Sequence, residues 1–234
     1  MTRVDENPVL FLFAREPVEA RAKTRLAPML GEAGAARLAR CMIGWSAANA
    51  RANWPGPLRL ALWPAEAADR CSDLPDIEVV GQRGADLGER MAAALASAPG
   101  PAAVMGSDIP HLDGAVLRHA ARSLREGRNV IGPAADGGFY LIGLAFPVPH
   151  LFEGVKWGGS EVLEQVLDNA ARLKVGFQRL PPAQDIDTPG DPRPWPARSN
   201  PGRLPRRRAG GSWLSASPSI ISIRATPAPG CCWR

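Results

Sequence analysis

The fold is decided by residues 9–26, which read VLFLFAREPVEARAKTRL. The stretch opens with five consecutive apolar residues, Val9 to Phe13, a pattern typical of a central strand that is covered on both faces. The loop that follows, residues 14–26, is longer than a tight connection needs and is rich in cations. Because ligands of open α/β sheets lie outside the carboxyl ends of the strands, this loop is predicted to contact a substrate.

The chain up to Asp191 alternates short apolar runs with helical patterns. This alternation predicts an α/β domain with a mostly parallel sheet and helices on both of its faces. Further strands are predicted at residues 58–63, 77–80, 102–105, 129–131, 139–144 and 175–180. Helices are predicted at about residues 32–49, 87–96, 113–125 and 160–173, with Asp113 as an N-cap. Residues 1–191 are therefore expected to form one domain.

Length and composition exclude several classes of protein. The chain has 234 residues and is 45% hydrophobic, enough to bury a full core, so it is not disordered or fibrous as a whole. No apolar stretch reaches the roughly 18 residues of a membrane helix, and the acidic N-terminus does not resemble an export signal. The four cysteines show neither metal-ligand spacing nor the density of a disulfide scaffold. A cytoplasmic protein without a membrane partner is expected.

The net charge of +5 comes from the end of the chain. Residues 192–234 contain eight arginines and no acid, whereas residues 1–191 carry 20 basic and 23 acidic side chains. The Pro/Arg-rich composition of residues 192–234 predicts a disordered tail, and a segment read out of frame is the alternative. A nucleic-acid-binding arm at residues 206–208 is the least favoured interpretation, because the domain itself is net acidic.

Common nucleotide and hydrolase motifs are missing. No strand is followed by G-x-G-x-x-G, and Lys23-Thr24 lacks the preceding glycines of a P-loop. There is no G-x-S-x-G turn, and the three histidines are scattered. Standard dehydrogenase, ATPase and hydrolase functions are therefore not favoured.

The residues that could carry chemistry follow the predicted strands. Arg15, Lys23 and Arg25 in the first loop could neutralise a diphosphate, although a solvated basic loop paired with Glu16 and Glu19 would have the same composition. Asp108 follows Gly106 at the end of another strand, where it could hold Mg²⁺ or Mn²⁺ against substrate phosphates or could simply form a turn before Pro110.

Two later segments contain further carboxylates. Asp136-Gly137-Gly138 lies between two apolar runs, which is a hairpin signal; alternatively, the glycines clear space for a substrate while Asp136 points into the cleft. Asp185 and Asp187 project to the same side if their segment is extended, so one of them could share a metal with Asp108. A polar domain end is the alternative for this pair.

Several segments in this order carry a resemblance to a known family. They are residues 23–28 (KTRLAP), 82–91 (QRGADLGERM), 106–110 (GSDIP), 132–140 (GPAADGGFY), Trp157 with the helix after it, and 185–189 (DIDTP). Together they resemble glycosyltransferase-A-like proteins known as selenodomain-associated or arsenosugar-biosynthesis transferases. These are relatives of the molybdenum-cofactor and phospholactate guanylyltransferases. The likeness covers about residues 8–191, but Arg15 and Ala20 stand where the family usually has lysine and glycine.

The resemblance implies a three-layer nucleotide-diphospho-sugar transferase fold and a metal-dependent enzyme. Asp108, helped by Asp187 or Asp185, would hold Mg²⁺ or Mn²⁺ on the phosphates of a nucleotide-activated substrate. Asp136 would orient the acceptor or act as a base. The substrate-binding residues that the resemblance implies are Arg15, Lys23, Thr24, Arg25, Gln82, Gly106, Gly137 and Gly138.

Two reactions remain open from the sequence. The family favours a glycosyltransferase that releases a nucleoside diphosphate from a nucleotide sugar. Asp108 stands alone in GSDIP rather than in a D-x-D pair, which favours a nucleotidyltransferase that releases pyrophosphate. The acceptor, the nucleobase and the oligomeric state are left open.

Overall fold

A computed structural model describes residues 7–70 and 77–185 of the protein. Asp187 and the predicted tail at residues 192–234 lie outside these ranges. Within them, no helix combines the length and the apolar character needed to cross a bilayer.

The described residues contain one seven-stranded sheet with the strand order β3-β2-β1-β4-β6-β5-β7. Strand β6 is antiparallel to β4 and β5, and the other neighbours are parallel. In chain order the strands are β1 (Val9–Arg15), β2 (Leu58–Trp63), β3 (Glu78–Gly81), β4 (Ala102–Gly106), β5 (Asn129–Pro133), β6 (Phe139–Leu144) and β7 (Phe177–Arg179).

Helices cover both faces of the sheet. They are α1 (Ala27–Asn53), α2 (Ala67–Arg70), α3 (Leu87–Ala96), α4 (Gly114–Arg125) and α5 (Val162–Arg172). Helix α1 begins five residues before the predicted start, with Pro28 in its first turn and a break at Gly31, where φ is 70°. The predicted start at Glu32 is therefore the start of the regular part of α1. The short α2 was not predicted, because four residues carry no helical period.

Strand β1 shows why its sequence is apolar throughout. Leu10 and Leu12 pack into a cluster with α1 and α4, whereas Phe11 and Phe13 pack into a second cluster with α3 and α5. Successive side chains of a strand point to opposite faces, so a strand with helices on both sides needs apolar residues at every position. Complete burial of one such side chain stabilises the fold by about 1.5 to 3 kcal/mol. The predicted three-layer α/β fold is confirmed.

The sheet reverses its winding direction between β1 and β4. Strand β2 is added on one side of β1 and β4 on the other, with Phe13 of β1 opposite Gly106 of β4. Open α/β sheets bind ligands in the crevice outside the carboxyl ends of the strands at such a reversal. We call the edge of the sheet where β1 and β4 end the carboxyl edge.

Candidate functional site

An ion pair joins the two principal candidate residues at the carboxyl edge. The Nζ atom of Lys23, in the loop after β1, lies 2.9 Å from Oδ1 of Asp108, in the loop after β4. The Lys23 side chain is 7% exposed and that of Asp108 is 48% exposed. A nearly buried ammonium therefore faces a carboxylate that solvent and small ligands can still reach.

The backbone of the Asp108 loop is attached to α1. The hydroxyl of Ser46 donates to the Ser107 carbonyl at 3.1 Å, and the side-chain amide of Asn49 donates to the Leu112 carbonyl at 2.7 Å. No atom lies within 4 Å of the place where a Cβ on Gly106 would stand. The loop that carries Asp108 is therefore hydrogen-bonded to α1, and open space lies next to Gly106 at the end of β4.

The Lys23 loop is also packed against α1. Ala22 is buried among small residues of that helix, and Nε of Arg40 donates to the Pro17 carbonyl at 3.2 Å. Lys23 itself has a φ of 46°, in the left-handed region. Such a conformation costs a non-glycine residue about 1 to 3 kcal/mol and is found most often at functional sites.

The other predicted cations lie nearby along the chain. Arg15 is exposed at the end of β1, and Thr24 and Arg25 are exposed next to Lys23. The structure thus brings Lys23 and Asp108 into contact and leaves Arg15, Thr24 and Arg25 on the surface around them.

The Asp136 segment forms the turn of a β5–β6 hairpin. Oδ1 of Asp136 accepts a hydrogen bond from the Gly138 amide at 2.9 Å, which is an Asx-type turn. Gly137 has a φ of 87°, and a Cβ there would lie 1.9 Å from the Ser160 carbonyl oxygen. Gly137 is required by the turn, and the amide of Gly138 takes part in it. The Asp136 carboxylate is exposed at the carboxyl edge and accepts a hydrogen bond within the turn.

Asp185 reaches the same region from β7. Ala183 bridges to Ala134, and Ala135 donates to the Ala183 carbonyl at 3.0 Å, so the chain after β7 runs beside the Asp136 turn. Asp185 is partly buried there. In the ranges 7–70 and 77–185 no three His, Cys, Asp or Glu side chains are grouped so that they could hold a metal. The metal predicted at Asp108 would be shared with Asp185 or Asp187, and of these residues only Asp187 lies outside the described ranges.

The side chain of Gln82 is buried between β1 and β2. Its side chain is 6% exposed, and its Nε2 donates to the carbonyls of Ala14 at 3.2 Å and Ala61 at 2.9 Å. Both amide hydrogens are thus used to connect β1 with β2. Only its side-chain oxygen remains for the predicted substrate contact.

The structure adds a residue that the sequence interpretation did not select. The guanidinium carbon of Arg90, in the first turn of α3, lies 4.3 Å from the ring centroid of Trp63. The residues before Arg90 contain a helix-capping pattern that could have placed it. The Asp86 carboxylate accepts from the Glu89 amide at 2.8 Å, and the Glu89 carboxylate accepts from the Ala85 amide at 2.8 Å. This reciprocal cap makes Leu87 the first helical residue and so places Arg90 one turn from the helix start.

A groove of about 480 Å³ lies elsewhere, between α3 and residues 147–154. None of the predicted site residues lines it, and most of its lining is apolar. We place the candidate site at the Lys23–Asp108 contact because that contact combines a cation, a carboxylate and the reversal of the sheet.

A family model described as an uncharacterized protein family conserved in bacteria (DUF2064) matches residues 46–159. This span includes Asp108 and Asp136 but not the Lys23 loop. No curated protein matches the chain.

Solved structures match most of the chain. A protein from Desulfovibrio desulfuricans G20, provisionally described as a nucleotide-diphospho-sugar transferase, is 28% identical with a TM-score of 0.69, over 78% of this chain and 83% of that one. Rv0371c from Mycobacterium tuberculosis H37Rv is 21% identical with a TM-score of 0.51, and the match covers 80% of this chain and 95% of that one. A nucleotidyl transferase from a Methanothermobacter species is 15% identical with a TM-score of 0.51, and the match covers 78% of this chain and 93% of that one.

These similarities confirm the predicted fold class, the nucleotide-diphospho-sugar transferase type of α/β fold. The similarity to the D. desulfuricans protein also agrees with the prediction that the chain is an enzyme of the transferase class.

Proposed function

We propose that the protein is a transferase that acts on a nucleotide-activated substrate at the Lys23–Asp108 contact. The observation that carries this proposal is the 2.9 Å ion pair at the reversal of the sheet. It joins a cation suited to phosphate and a carboxylate suited to a divalent ion at the position where α/β sheets bind ligands.

The cations of the first loop would bind the phosphates. The Lys23 side chain is nearly buried, and the preceding residue, Ala22, packs on α1, so Lys23 loses little side-chain freedom when it contacts a phosphate. Arg15 and Arg25 would add charge from the surface, with Thr24 between Lys23 and Arg25 and open space at Gly106. Fixed positive charge of this kind stabilises the negative charge that develops on a leaving phosphate.

The proposal includes a Mg²⁺ or Mn²⁺ ion at Asp108. Asp108 presents a half-exposed carboxylate, and Mg²⁺ sites commonly use one or two protein carboxylates together with substrate phosphates. Asp185 or Asp187 would be the second carboxylate. When bound, the ion would draw charge from the phosphate oxygens and so help the leaving group depart.

The first candidate reaction is glycosyl transfer from a nucleotide sugar, as in the description of the D. desulfuricans protein. Asp136 would orient the acceptor or accept its proton, with Gly137 and Gly138 shaping the turn that presents it. The resemblance to the selenodomain-associated and arsenosugar-biosynthesis transferases belongs to this proposal, as do the domain limits at residues 1–191 and the tail at residues 192–234.

The second candidate reaction is nucleotidyl transfer with release of pyrophosphate. It is favoured by the sequence around Asp108, GSDIP, which holds one carboxylate where many sugar-nucleotide enzymes have a D-x-D pair. The two reactions leave different products, so one assay separates them.

The test is incubation of the purified full chain with Mn²⁺ and either sugar nucleotides or nucleoside triphosphates. Release of a nucleoside diphosphate supports glycosyl transfer, and release of pyrophosphate supports nucleotidyl transfer. Asp108→Ala should abolish either activity, whereas Asp168→Ala, which removes an exposed carboxylate from α5, should leave it unchanged. Absence of binding and turnover with every nucleotide would refute the proposed function.

A further inference from the structure

Two arginines lie close together beside the end of β2. Arg90 of α3 stacks on Trp63, the last residue of β2, with 4.3 Å from its guanidinium carbon to the ring centroid. Trp63 in turn pairs in register with Arg15, the last residue of β1. Arg15 and Arg90 therefore both lie next to Trp63 at the carboxyl edge, on the side of β1 opposite β4, and near enough for the charge of Arg15 to act on Arg90.

The positive charge of this pair is not balanced by a contacting acid. Neither Arg15 nor Arg90 forms an ion pair with any residue in the ranges 7–70 and 77–185, and Nε of Arg90 is buried without a hydrogen-bond partner. Burial lowers the pKa of Arg90, the charge of Arg15 lowers it further, and Asp86 offsets part of the effect. Asp86 is also committed to the cap of α3, where it binds the Glu89 amide.

We propose that Arg15 and Arg90 form a second anion subsite, which takes a phosphoryl group of the substrate on the β2 side of the Lys23–Asp108 contact. This inference rests on the proposed function for the identity of the substrate. A polyphosphate bound at Lys23 would have to cross β1 to contact Arg90, and neighbouring strands lie about 4.8 Å apart. The forked donors of two guanidiniums suit phosphate oxygens, and an anion between them removes their repulsion.

Trp63 acts as a positioning residue for Arg90. Stacking on an indole face holds the guanidinium plane in place through cation–π attraction. An arginine held in this way loses less freedom on binding than one that extends into solvent. A lysine in place of Arg90 would keep the positive charge. It would lose the forked N–H donors and the planar group that stacks on the indole ring.

The first test measures binding of inorganic pyrophosphate by calorimetry at low salt with a chelator present, so that only side-chain cations contribute. Arg90→Met should weaken binding about ten-fold or more, the loss expected for one charge-assisted hydrogen bond. Arg90→Lys should fall between Arg90→Met and the unaltered protein. Arg83→Met is the matched control, because it removes an exposed arginine from the same segment and should leave pyrophosphate affinity unchanged.

The proposal is overturned if Arg90→Met and Arg83→Met bind pyrophosphate alike, or if the unaltered protein does not bind it. Trp63→Leu should weaken binding several-fold and Trp63→Phe should restore it, since a phenyl ring keeps a face for stacking. Thermal unfolding of each variant checks that the fold is intact. Equal affinities for Trp63→Leu and Trp63→Phe would contradict the positioning role.

A second measurement separates this inference from the proposed function. If Mn²⁺-dependent nucleotide binding requires Asp108 but is unchanged in Arg90→Met, the subsite is wrong and the proposed function stands. If no nucleotide binds although pyrophosphate binding depends on Arg90, the proposed function is wrong and the anion subsite stands.

Discussion

Replacing Lys23 by methionine should change the binding of metal and of nucleotide in opposite directions. Methionine keeps most of the length of the side chain and removes its charge. Without the ammonium, the Asp108 carboxylate should bind Mn²⁺ alone more tightly, because its Oδ1 no longer has a competing cation at 2.9 Å. A nucleotide should bind more weakly, because its phosphates lose the buried cation of the loop.

The size of both effects follows from the geometry of the pair. At 2.9 Å the Coulomb attraction is about 1.4 kcal/mol in a medium like water and about 6 kcal/mol at an effective dielectric constant of 20. The 48% exposure of Asp108 places the net value near the lower limit, at about 1 to 2 kcal/mol. We therefore expect Mn²⁺ affinity to rise roughly 5- to 30-fold and nucleotide affinity to fall by a similar factor.

Electron paramagnetic resonance of free Mn²⁺ measures the first quantity, and calorimetry with nucleotide and Mn²⁺ measures the second. Lys156→Met is the matched control, because it removes an exposed lysine far along the chain and should change neither. If Lys23→Met alters neither affinity, the loop is only a solvated basic segment, and the ion pair has no part in binding.

The remaining predictions concern metal binding, backbone strain and a buried phenol. Asp108→Ala should abolish Mn²⁺-dependent nucleotide binding in calorimetry while the thermal midpoint falls by only a few degrees, because the carboxylate is half exposed. Gly137→Ala should lower the free energy of unfolding in urea by about 3 kcal/mol or more, since its Cβ would lie 1.9 Å from the Ser160 carbonyl oxygen; Gly154→Ala, with a φ of 69° and open space, should cost about 1 kcal/mol. Burial raises the pKa of Tyr140, the single tyrosine, to about 12, above the usual value of 10. Because the folded protein disfavours the phenolate, its stability should be unaffected by this group below pH 10 and should fall as the pH rises towards 12, which phenolate absorbance and unfolding curves at each pH would detect.

The secondary structure could largely be predicted from local patterns. The strands 58–63 and 139–144 and the helix 87–96 have the predicted limits, and Asp113 caps α4 as predicted, accepting from the Ala115 amide at 2.8 Å. These elements depend on neighbours a few residues away, so the chain itself contains the information. Strand β7 is shorter than predicted, Phe177–Arg179 instead of 175–180, because only those residues pair with β5.

The candidate site could be predicted only in part. The cation loop and Asp108 were recognisable because both follow apolar strands, and strand ends are where α/β sheets bind ligands. The contact between Gln82 and substrate stays a prediction. The sequence did not indicate that its amide hydrogens bind the Ala14 and Ala61 carbonyls, because only the adjacency of β1 and β2 supplies these partners. Arg90 was not selected because its stacking partner, Trp63, lies on a strand distant in the sequence.

Local sequence patterns are sufficient to predict an α/β sheet with cations and carboxylates at its strand ends, because periodicity, caps and turn residues act over short distances along the chain. Which of those groups come into contact depends on the packing of distant elements. Lys23 touches Asp108 because β1 and β4 are neighbours, and Arg15 and Arg90 both lie next to Trp63 because β1 and β2 are neighbours. Strand order depends on how whole elements pack, so these contacts cannot be predicted from any single segment of the sequence.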